Sequence, residues 1–218
     1  MRIGIIGAGN VGSTLGRGWA KAGHTIGFGV RRPNSAELAQ LIQAIGADKA
    51  SAGSPRAVAQ ASEVVVLATP WPVTIGAVRD LGDLGGKIVI DCTNPLTMGP
   101  DGLALEIGHD TSGAEMIAAQ LPEVPVFKTL NQVGFDVMAQ PRFAIGATPM
   151  PAVMFVAGDD ADGKRTVLAL VADAGFEAID AGGLRAARLL EPFAMLWIEL
   201  ARKRGLGSDF AFALHRKA

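Results

Sequence analysis

A glycine-rich turn near the start of the chain constrains its fold more than any other feature. The apolar run 3–6 leads directly into residues 7–12, which read Gly-Ala-Gly-Asn-Val-Gly. Gly7 permits a tight turn, Gly9 lets the backbone approach a pyrophosphate, and Gly12 lets the next helix pack closely on the strand. The N–H groups and the dipole at the start of that helix favour an anion. The run therefore predicts a strand–turn–helix unit that binds a dinucleotide.

The end of the second predicted strand indicates which dinucleotide binds. The strand at 25–30 is followed by Arg31 and Arg32, and no acid precedes Glu37. An NAD-binding protein places an Asp or Glu here to hold the ribose 2′-hydroxyl. A carboxylate would repel a 2′-phosphate, whereas a guanidinium group binds it. The sequence therefore predicts NADP(H) as the cofactor, with Arg31 and Arg32 on the 2′-phosphate.

The rest of the chain alternates predicted strands and helices. This alternation predicts an α/β fold, a Rossmann-type doubly wound and mostly parallel sheet with a small C-terminal α/β extension. Residues 1–140 are predicted to form the NADP-binding domain, in which 96–111 form a glycine-rich loop. Residues 141–218 are predicted to continue the sheet or to form a small lobe with a terminal helix. Predicted strands lie at 49–52, 63–69, 87–92, 124–130, 152–158 and 176–181, and predicted helices at 13–22, 35–45, 114–121, 161–174 and 185–204.

Composition excludes several classes of partner. The net charge of −1 gives no electrostatic basis for binding nucleic acid or an anionic membrane surface. The single cysteine, Cys92, fits a reducing cytoplasm. The sequence shows no signal peptide and no apolar run of roughly 20 residues, so we expect a soluble cytoplasmic protein. The three histidines and one cysteine show no metal-ligand spacing, and no metal is predicted.

Polar residues and prolines follow the predicted central strands. Ligands of an open parallel sheet lie beyond the carboxyl ends of its strands. The amides of Asn94 and Asn131 are therefore predicted to bind the nicotinamide half, although either residue also suits a turn. Trp71 either walls the nicotinamide site or packs in the core. The predicted cofactor-binding residues are Gly7, Gly9, Asn10, Val11, Gly12, Arg31, Arg32, Thr69, Pro70, Trp71, Asn94, Pro95 and Asn131.

No catalytic residue is predicted. The sequence shows no Ser–His–Asp set and no pair of carboxylates placed for acid–base chemistry. His109, in the loop over the predicted groove, suits either a solvated position or a proton donor. We expect Asp91 and Cys92 to be structural and the pair Asp159-Asp160 to cap a helix. Direct hydride transfer depends on alignment more than on a protein acid or base.

Several stretches carry a family resemblance in the same order along the chain. They are 7–12, 31–32, 68–71, 158–160, 179–184 and 187–191. On these stretches the chain resembles the bacterial branch of the NADPH-dependent coenzyme F420 reductases. The resemblance implies that F420 or a flavin lies against the nicotinamide as co-substrate, and that the protein is a homodimer. The segments around Asn94 and Asn131 also resemble the cytosolic NADPH domain of membrane metalloreductases, whose transmembrane haem domain we do not expect here.

These features favour a soluble NADPH-dependent oxidoreductase that transfers a hydride between NADP(H) and a small-molecule acceptor of the F420 or flavin type. One alternative is an NADPH-sensing module without turnover. Its docking face would be the helical stripe of Phe193, Leu196, Trp197 and Leu200, which also suits a core or a dimer seam. The other alternative is a reductase of a small carbonyl or imine. Such enzymes usually add a large helical domain, which residues 141–218 do not suggest.

Overall fold

A computed structural model describes residues 1–100, 102–145, 148–215 and 217. In chain order its elements are β1 (Arg2–Ile6), α1 (Asn10–Lys21), β2 (Thr25–Gly29), α2 (Ala36–Ile45), β3 (Ala50–Gly53), α3 (Pro55–Ala61), β4 (Val64–Leu67), α4 (Trp71–Asp80), β5 (Ile88–Asp91), β6 (Leu96–Gly99), β7 (Gly102–Leu105), α5 (Gly113–Ala118), β8 (Val126–Lys128), α6 (Phe135–Ala139), β9 (Arg142–Ile145), β10 (Thr148–Pro151), β11 (Val153–Val156), α7 (Ala161–Asp173), β12 (Glu177–Asp180), a 3₁₀ turn (Leu184–Ala186) and α8 (Ala187–Arg202).

A six-stranded parallel sheet lies at the centre, in the order β3-β2-β1-β4-β5-β8. The chain builds outward from β1 to β3 and then crosses to β4 on the other side of β1. This order confirms the predicted Rossmann-type fold. It also places the switch point, where ligands bind in such sheets, between β1 and β4.

Both faces of the sheet are covered by helices. Along β4, Val64 and Val66 join the apolar cluster under α1, α2 and α7, while Val65 and Leu67 join the cluster under α3, α4 and α5. All four side chains are fully buried. Because successive strand residues point to opposite faces, a continuous run of valines and leucine fits a strand that is buried on both sides.

Serine side chains cap the starts of two helices. At the start of α2 the Ser35 side chain accepts a hydrogen bond from the Leu38 N–H. At the start of α3 the Ser54 side chain accepts one from the Ala57 N–H, and Pro55 takes the first position of the helix. α1 begins at Asn10, three residues before its predicted start. Its N-cap is Gly9, which has no capping side chain, so the sequence carries no cap signal at this helix start.

The C-terminal part forms its own small sheet. β11 and β12 pair in parallel with each other, and a single antiparallel bridge between Lys128 and Ala157 links them to the central sheet. The predicted strand pair therefore forms its own two-stranded sheet instead of adding parallel strands to the central sheet. The boundary predicted near residue 140 falls between α6 and β9 and stays a prediction.

Two hairpins were not predicted. β6 pairs with β7 inside the predicted loop 96–111, and β9 pairs with β10 just after residue 140. Pro149 and Pro151 lie in β10, and prolines weaken the sequence signal for a strand. Residue 101, in the predicted loop, lies outside the described residues, as do residues 146 and 147 between β9 and β10.

Candidate active site

A cavity of about 1390 Å³ opens along the carboxyl edge of the central sheet. Its wall is formed by the segments that follow β1, β2, β4 and β5, so it spans the switch point between β1 and β4. A site for one drug-sized molecule occupies roughly 300–1,000 Å³. The cavity therefore exceeds the upper end of that range.

The glycine turn forms the middle of the cavity wall. Gly7 has φ +109°, and a Cβ there would lie 2.5 Å from the Ala68 carbonyl oxygen. A Cβ at Gly12 would collide with the Gly7 carbonyl oxygen, so this residue must be glycine for α1 to pack on β1. A Cβ at Gly9 would have no neighbour within 4 Å, because this backbone faces open space. Gly12 lies behind the wall that Gly7, Gly9, Asn10 and Val11 form.

The start of α1 is well suited to an anion. Its first turn contains no acidic residue, and its N-cap makes no side-chain hydrogen bond to it. The first N–H groups of a helix have no partner within the helix, and the helix dipole makes this end positive. A pyrophosphate in the cavity would meet these groups directly.

Arginines form one end of the cavity. Arg31 and Arg32 follow β2, and Arg17 from α1 lies in the same wall. All three are exposed, and within the described part of the chain none forms an ion pair. Their charges are therefore available to a phosphate.

Glu37 lies in the same wall and adds one negative charge. Hydrogen bonds from its own backbone N–H and from Ser35 hold the pKa of its carboxyl below the ordinary value, and the charge of Arg32 adds to this effect. Glu37 is therefore ionised near neutral pH. Its position beside the arginines reduces the positive potential that a 2′-phosphate would meet.

The segment after β4 contributes Thr69, Pro70 and Trp71 to the wall. The Thr69 hydroxyl lies 2.8 Å from the Thr74 hydroxyl, which also donates to the Pro70 carbonyl oxygen at 3.0 Å. Trp71 is 7% exposed and packs in the core beneath the cavity. It therefore both packs in the core and lines the cavity, and its role at the nicotinamide stays a prediction.

Asn94 lies in the wall, whereas Asn131 and Pro95 lie behind it. Asn131 Nδ2 donates to Asn94 Oδ1 at 2.9 Å and to the Leu190 carbonyl at 3.1 Å. Asn131 Oδ1 accepts from Gln132 Nε2 at 3.0 Å, and Asn94 Nδ2 donates to the Asn131 carbonyl at 3.0 Å. The Asn131 amide is thus engaged within the protein, where it orients Asn94.

Thr93 carries a buried hydroxyl that has no hydrogen-bond partner among the described residues. The residue is 5% exposed and lies in the cavity wall. Its backbone is fixed, because its N–H donates to Asp91 Oδ1 at 2.8 Å and its carbonyl accepts from Lys128 Nζ. An unsatisfied buried hydroxyl costs about 1–3 kcal/mol.

Behind Thr93 lies a buried charged cluster, composed of Lys128, Asp91 and Glu191. The Lys128 Nζ lies 2.7 Å from Asp91 Oδ2 and 3.0 Å from Glu191 Oε1, and all three side chains are fully buried. Burial lowers the pKa of Lys128, but the two carboxylates outweigh this effect and the pKa is raised. Glu191 also accepts the N–H groups of Gly113 and Ala114 at 2.9 and 3.2 Å. The cluster therefore ties the ends of β5 and β8 to α5 and α8.

The structure settles several other expectations. Asp91 is hydrogen-bonded within the cluster, which confirms its structural role. Of the pair predicted to cap a helix, Asp160 caps α7 by accepting from the Gly163 N–H, whereas Asp159 accepts from the Leu184 N–H. Cys92 is buried, and burial raises the pKa of its thiol, which stays protonated although it touches the cavity. His109 is exposed and does not line the cavity.

The end of the cavity beyond β5 was not predicted from the sequence. Leu96 from β6, Phe135 from α6 and Arg202 from α8 line it. These residues come from three separated parts of the chain, so no local motif points to them. In the described part of the chain, no cluster of three or more His, Cys, Asp or Glu suits a metal ion. No helix in that part has the length and apolar character needed to cross a membrane.

The doubly wound sheet, the glycine turn and the arginines beyond β2 define a dinucleotide-binding protein of the Rossmann class. Residues 2–95 match a family described as NADP oxidoreductase, coenzyme F420-dependent. The solved structure of a candidate F420-dependent NADP reductase of Arthrobacter sp. FB24 superposes on this chain with a TM-score of 0.88. The two sequences are 31% identical, and the match covers 99% of this chain and 100% of that one. The chain belongs to this family, and by that membership it is an NADP-dependent oxidoreductase.

Two further proteins are similar over most of this chain. The metalloreductase STEAP3 of Rattus norvegicus is 26% identical over 194 residues, which are 87% of this chain. The chain spans 36% of the length of that protein. An imine reductase of Streptomyces aurantiacus is 15% identical with a TM-score of 0.65, over 94% of this chain and 64% of that one. At this identity the likeness shows the fold alone.

Proposed function

We propose that this protein transfers a hydride between NADP(H) and a planar deazaflavin or flavin acceptor, with F420 as the first candidate. The continuity of the cavity carries the proposal. One space runs from the arginines beyond β2, past the glycine turn, to Leu96 and Phe135 beyond β5. A dinucleotide lies across such an edge with its pyrophosphate at the first glycine turn, so its nicotinamide half lies towards β4 and β5. The cavity continues past that point and leaves room for an acceptor.

The cavity wall fits the polar groups of NADP(H). The first-turn N–H groups of α1 suit the pyrophosphate, and Arg31 and Arg32 suit the 2′-phosphate. The Thr93 hydroxyl suits a ribose or carboxamide group at the other end. When bound, NADPH supplies a hydride, which with a proton from solvent reduces the acceptor by two electrons and leaves NADP⁺. The protein's part is to hold two rings in contact and exclude water.

The titratable groups in the wall support a ring acceptor over a carbonyl or imine. Two described cavity residues carry a carboxylate, Glu37 and Asp80. Glu37 lies beside Arg32. Asp80 ends α4, where its backbone carbonyl accepts a hydrogen bond from Arg56 Nε at 3.0 Å. The Cys92 thiol is held protonated by burial, which makes it a weak acid. Reduction of a carbonyl usually needs a proton donor placed at the reacting atom. The described wall near Thr93 and Asn94 offers no acid suited to that task.

The test is oxidation of NADPH by the purified protein, followed by the loss of nicotinamide absorbance. F420, FMN, FAD, a ferric chelate and a cyclic imine are supplied as separate acceptors. We expect rapid turnover with F420 or a free flavin and little with the imine. Turnover with the ferric chelate alone would favour a metalloreductase-like role instead. Tight NADPH binding without turnover on any acceptor would favour the NADPH-sensing alternative.

We also propose that the protein works as a homodimer in the cytoplasm. Met98 and Leu189 are 75% and 73% exposed, which is unusual for large apolar side chains and supports contact with another subunit. Light scattering of the purified protein tests the dimer. A monomer at high protein concentration would contradict it.

A further inference from the structure

We infer that Arg202 determines specificity for the acceptor by binding a negatively charged substituent on it. This inference rests on the proposed function, because it assigns the end of the cavity beyond β5 to the acceptor. It adds a specificity residue for the second substrate.

The first support is the position of Arg202 relative to the other cations. Arg31 and Arg32 follow β2, whereas Arg202 lines the cavity with Leu96 and Phe135. Leu96 begins β6, directly after β5, and a Cβ at Gly102 of β7 would lie 3.6 Å from Cε of Lys203, the residue next to Arg202. Three strand spacings separate β2 from β5, which amounts to roughly 14 Å across the sheet. The cavity thus has positive charge at both ends. The glycine turn and the arginines after β2 already suit the phosphates of one NADP(H) molecule. Arg202 therefore suits a negative charge on a different ligand.

The second support is the charge balance at the end of α8. Lys203 and Arg204 both pair with Glu199, at 3.1 and 3.2 Å. Within the described part of the chain, Arg202 forms no ion pair and no side-chain hydrogen bond. A cation at a helix C-terminus is favourable in any protein, because the helix dipole is negative there. That effect explains the charge of Arg202, but it does not explain why the residue lies in the cavity wall.

The third support is the apolar surface beside Arg202. Phe135 is 38% exposed although it begins a helix that packs on the core, and Leu96 is half-buried. An exposed aromatic ring beside an aliphatic side chain suits the face of a flat heterocycle. The charged and apolar parts together match a ring whose substituent ends in a phosphate or a carboxylate.

The placement of Phe135 and Arg202 is fixed by packing between α6 and α8. A Cβ at Gly134 would lie 2.7 Å from the Trp197 ring, so α6 begins directly against that ring. Trp197 in turn stacks on Phe210 with ring centres 5.2 Å apart, and its Nε1 donates to the Phe210 carbonyl at 2.9 Å. The two walls of this end of the cavity are therefore held in a fixed relation.

Two pairs of probes test the inference. FMN and riboflavin differ by one phosphate, and F420 differs from its phosphate-free deazaflavin chromophore in its anionic tail. Binding of each probe to the NADP⁺-bound protein is measured by fluorescence, and kcat/KM by NADPH oxidation. The variants are Arg202→Gln and, as a matched control, Arg204→Gln. Arg204 carries the same charge two residues away, is 68% exposed and does not line the cavity.

We expect wild type and Arg204→Gln to prefer the anionic member of each pair. In Arg202→Gln the ratio of affinities for the anionic and the neutral probe should fall about tenfold, because a charge-assisted hydrogen bond to the anion is removed. NADPH affinity should not change in either variant. An unchanged preference in Arg202→Gln would overturn the role of Arg202 while the proposed function stands. Failure of wild type to bind or reduce any of the four probes, with NADPH still bound, would overturn the proposed acceptor class and this inference together.

Discussion

Asp91 and Lys128 lie opposite each other in the parallel register of β5 and β8, and their buried side chains form an ion pair at 2.7 Å. Glu191 completes the cluster from α8, far along the chain. The Lys128 ammonium also donates to the Thr93 carbonyl. The wall of the cavity near the nicotinamide end is therefore fixed by a charged cluster one layer behind it.

Lys128→Met should destabilise the protein strongly. Removing the cation leaves Asp91 and Glu191 buried together without compensation, a change that typically costs about 3–5 kcal/mol. Urea unfolding of the variant checks this value. Arg165→Met serves as the control, because Arg165 pairs with Asp162 at the surface of α7 and should change stability by less than about 0.5 kcal/mol. Equal stability of the two variants would show that the cluster does not hold the fold.

Changing Arg31 and Arg32 to Asp together should weaken NADPH binding far more than NADH binding. Loss of two guanidinium contacts to the 2′-phosphate should cost NADPH roughly 100-fold in affinity. NADH lacks that phosphate and should lose no more than about fivefold. Calorimetric titration of both nucleotides measures the ratio, with Arg165→Asp as the control. If both nucleotides weakened equally, the 2′-phosphate assignment would be wrong.

Glu37→Gln should tighten NADPH binding. The Glu37 carboxylate is kept ionised beside Arg32, so it repels the phosphate that the arginines attract. Since the residue is exposed and screened, we expect an improvement of about two- to fivefold. The same titration at low and high salt measures it, and the gain should shrink at high salt. Weaker NADH binding with unchanged NADPH binding would instead assign Glu37 to the ribose 2′-hydroxyl of NADH.

Thr93→Val should weaken NADP(H) binding without weakening the fold. The Thr93 hydroxyl has no hydrogen-bond partner among the residues that the structure describes, so Tm without nucleotide should stay equal or rise slightly. The loss of a hydrogen bond to the nicotinamide end should cost roughly threefold to tenfold in affinity.

Thr129→Val is the matched control for Thr93→Val. The Thr129 hydroxyl is also buried and without a partner among the described residues, but Thr129 does not line the cavity. It should resemble Thr93→Val in Tm and wild type in NADPH affinity. Identical nucleotide affinities for the two variants would argue against a ligand role for Thr93.

Glu115→Gln should make stability less dependent on acid pH. Two hydrogen bonds from Arg188, at 2.7 and 2.8 Å, hold the pKa of Glu115 below its ordinary value of 4.5. The stability from this pair is therefore present above pH 4.5 and is lost as the pH falls through the lower, folded-state pKa. Glu115→Gln should lower Tm by a few degrees at neutral pH. Melting curves should show that difference closing below pH 4.5, and a difference independent of pH would contradict the assignment.

Local signals predicted much of the fold. The glycine turn and the valine-rich β4 act within a few residues, so the sequence alone locates them. The parallel order of the sheet follows from the alternation of strands and helices. The hairpin of β9 and β10 was missed because its prolines hide the strand pattern.

The candidate site was harder to predict wherever it depends on distant residues. Asn131 suited a ligand contact by its place after a strand, but its partner Leu190 lies on α8 and draws its amide inward. One available signal was overlooked. Lys128 ends an apolar strand and Asp91 ends the neighbouring one, and two opposite charges at such positions indicate a buried pair. Nothing local marks Arg202, whose place depends on how α8 packs.

The position of Trp71 gives the protein an optical reporter of its own ligands. The chain has three tryptophans, and among the described cavity residues Trp71 is the only one. Trp19 and Trp197 are buried in other packing contacts. Indole emission overlaps the absorption of a reduced nicotinamide, so energy transfer from Trp71 should dim the protein as NADPH arrives. A deazaflavin or flavin beside it would dim the emission further. Each half-reaction can therefore be followed in real time without any label.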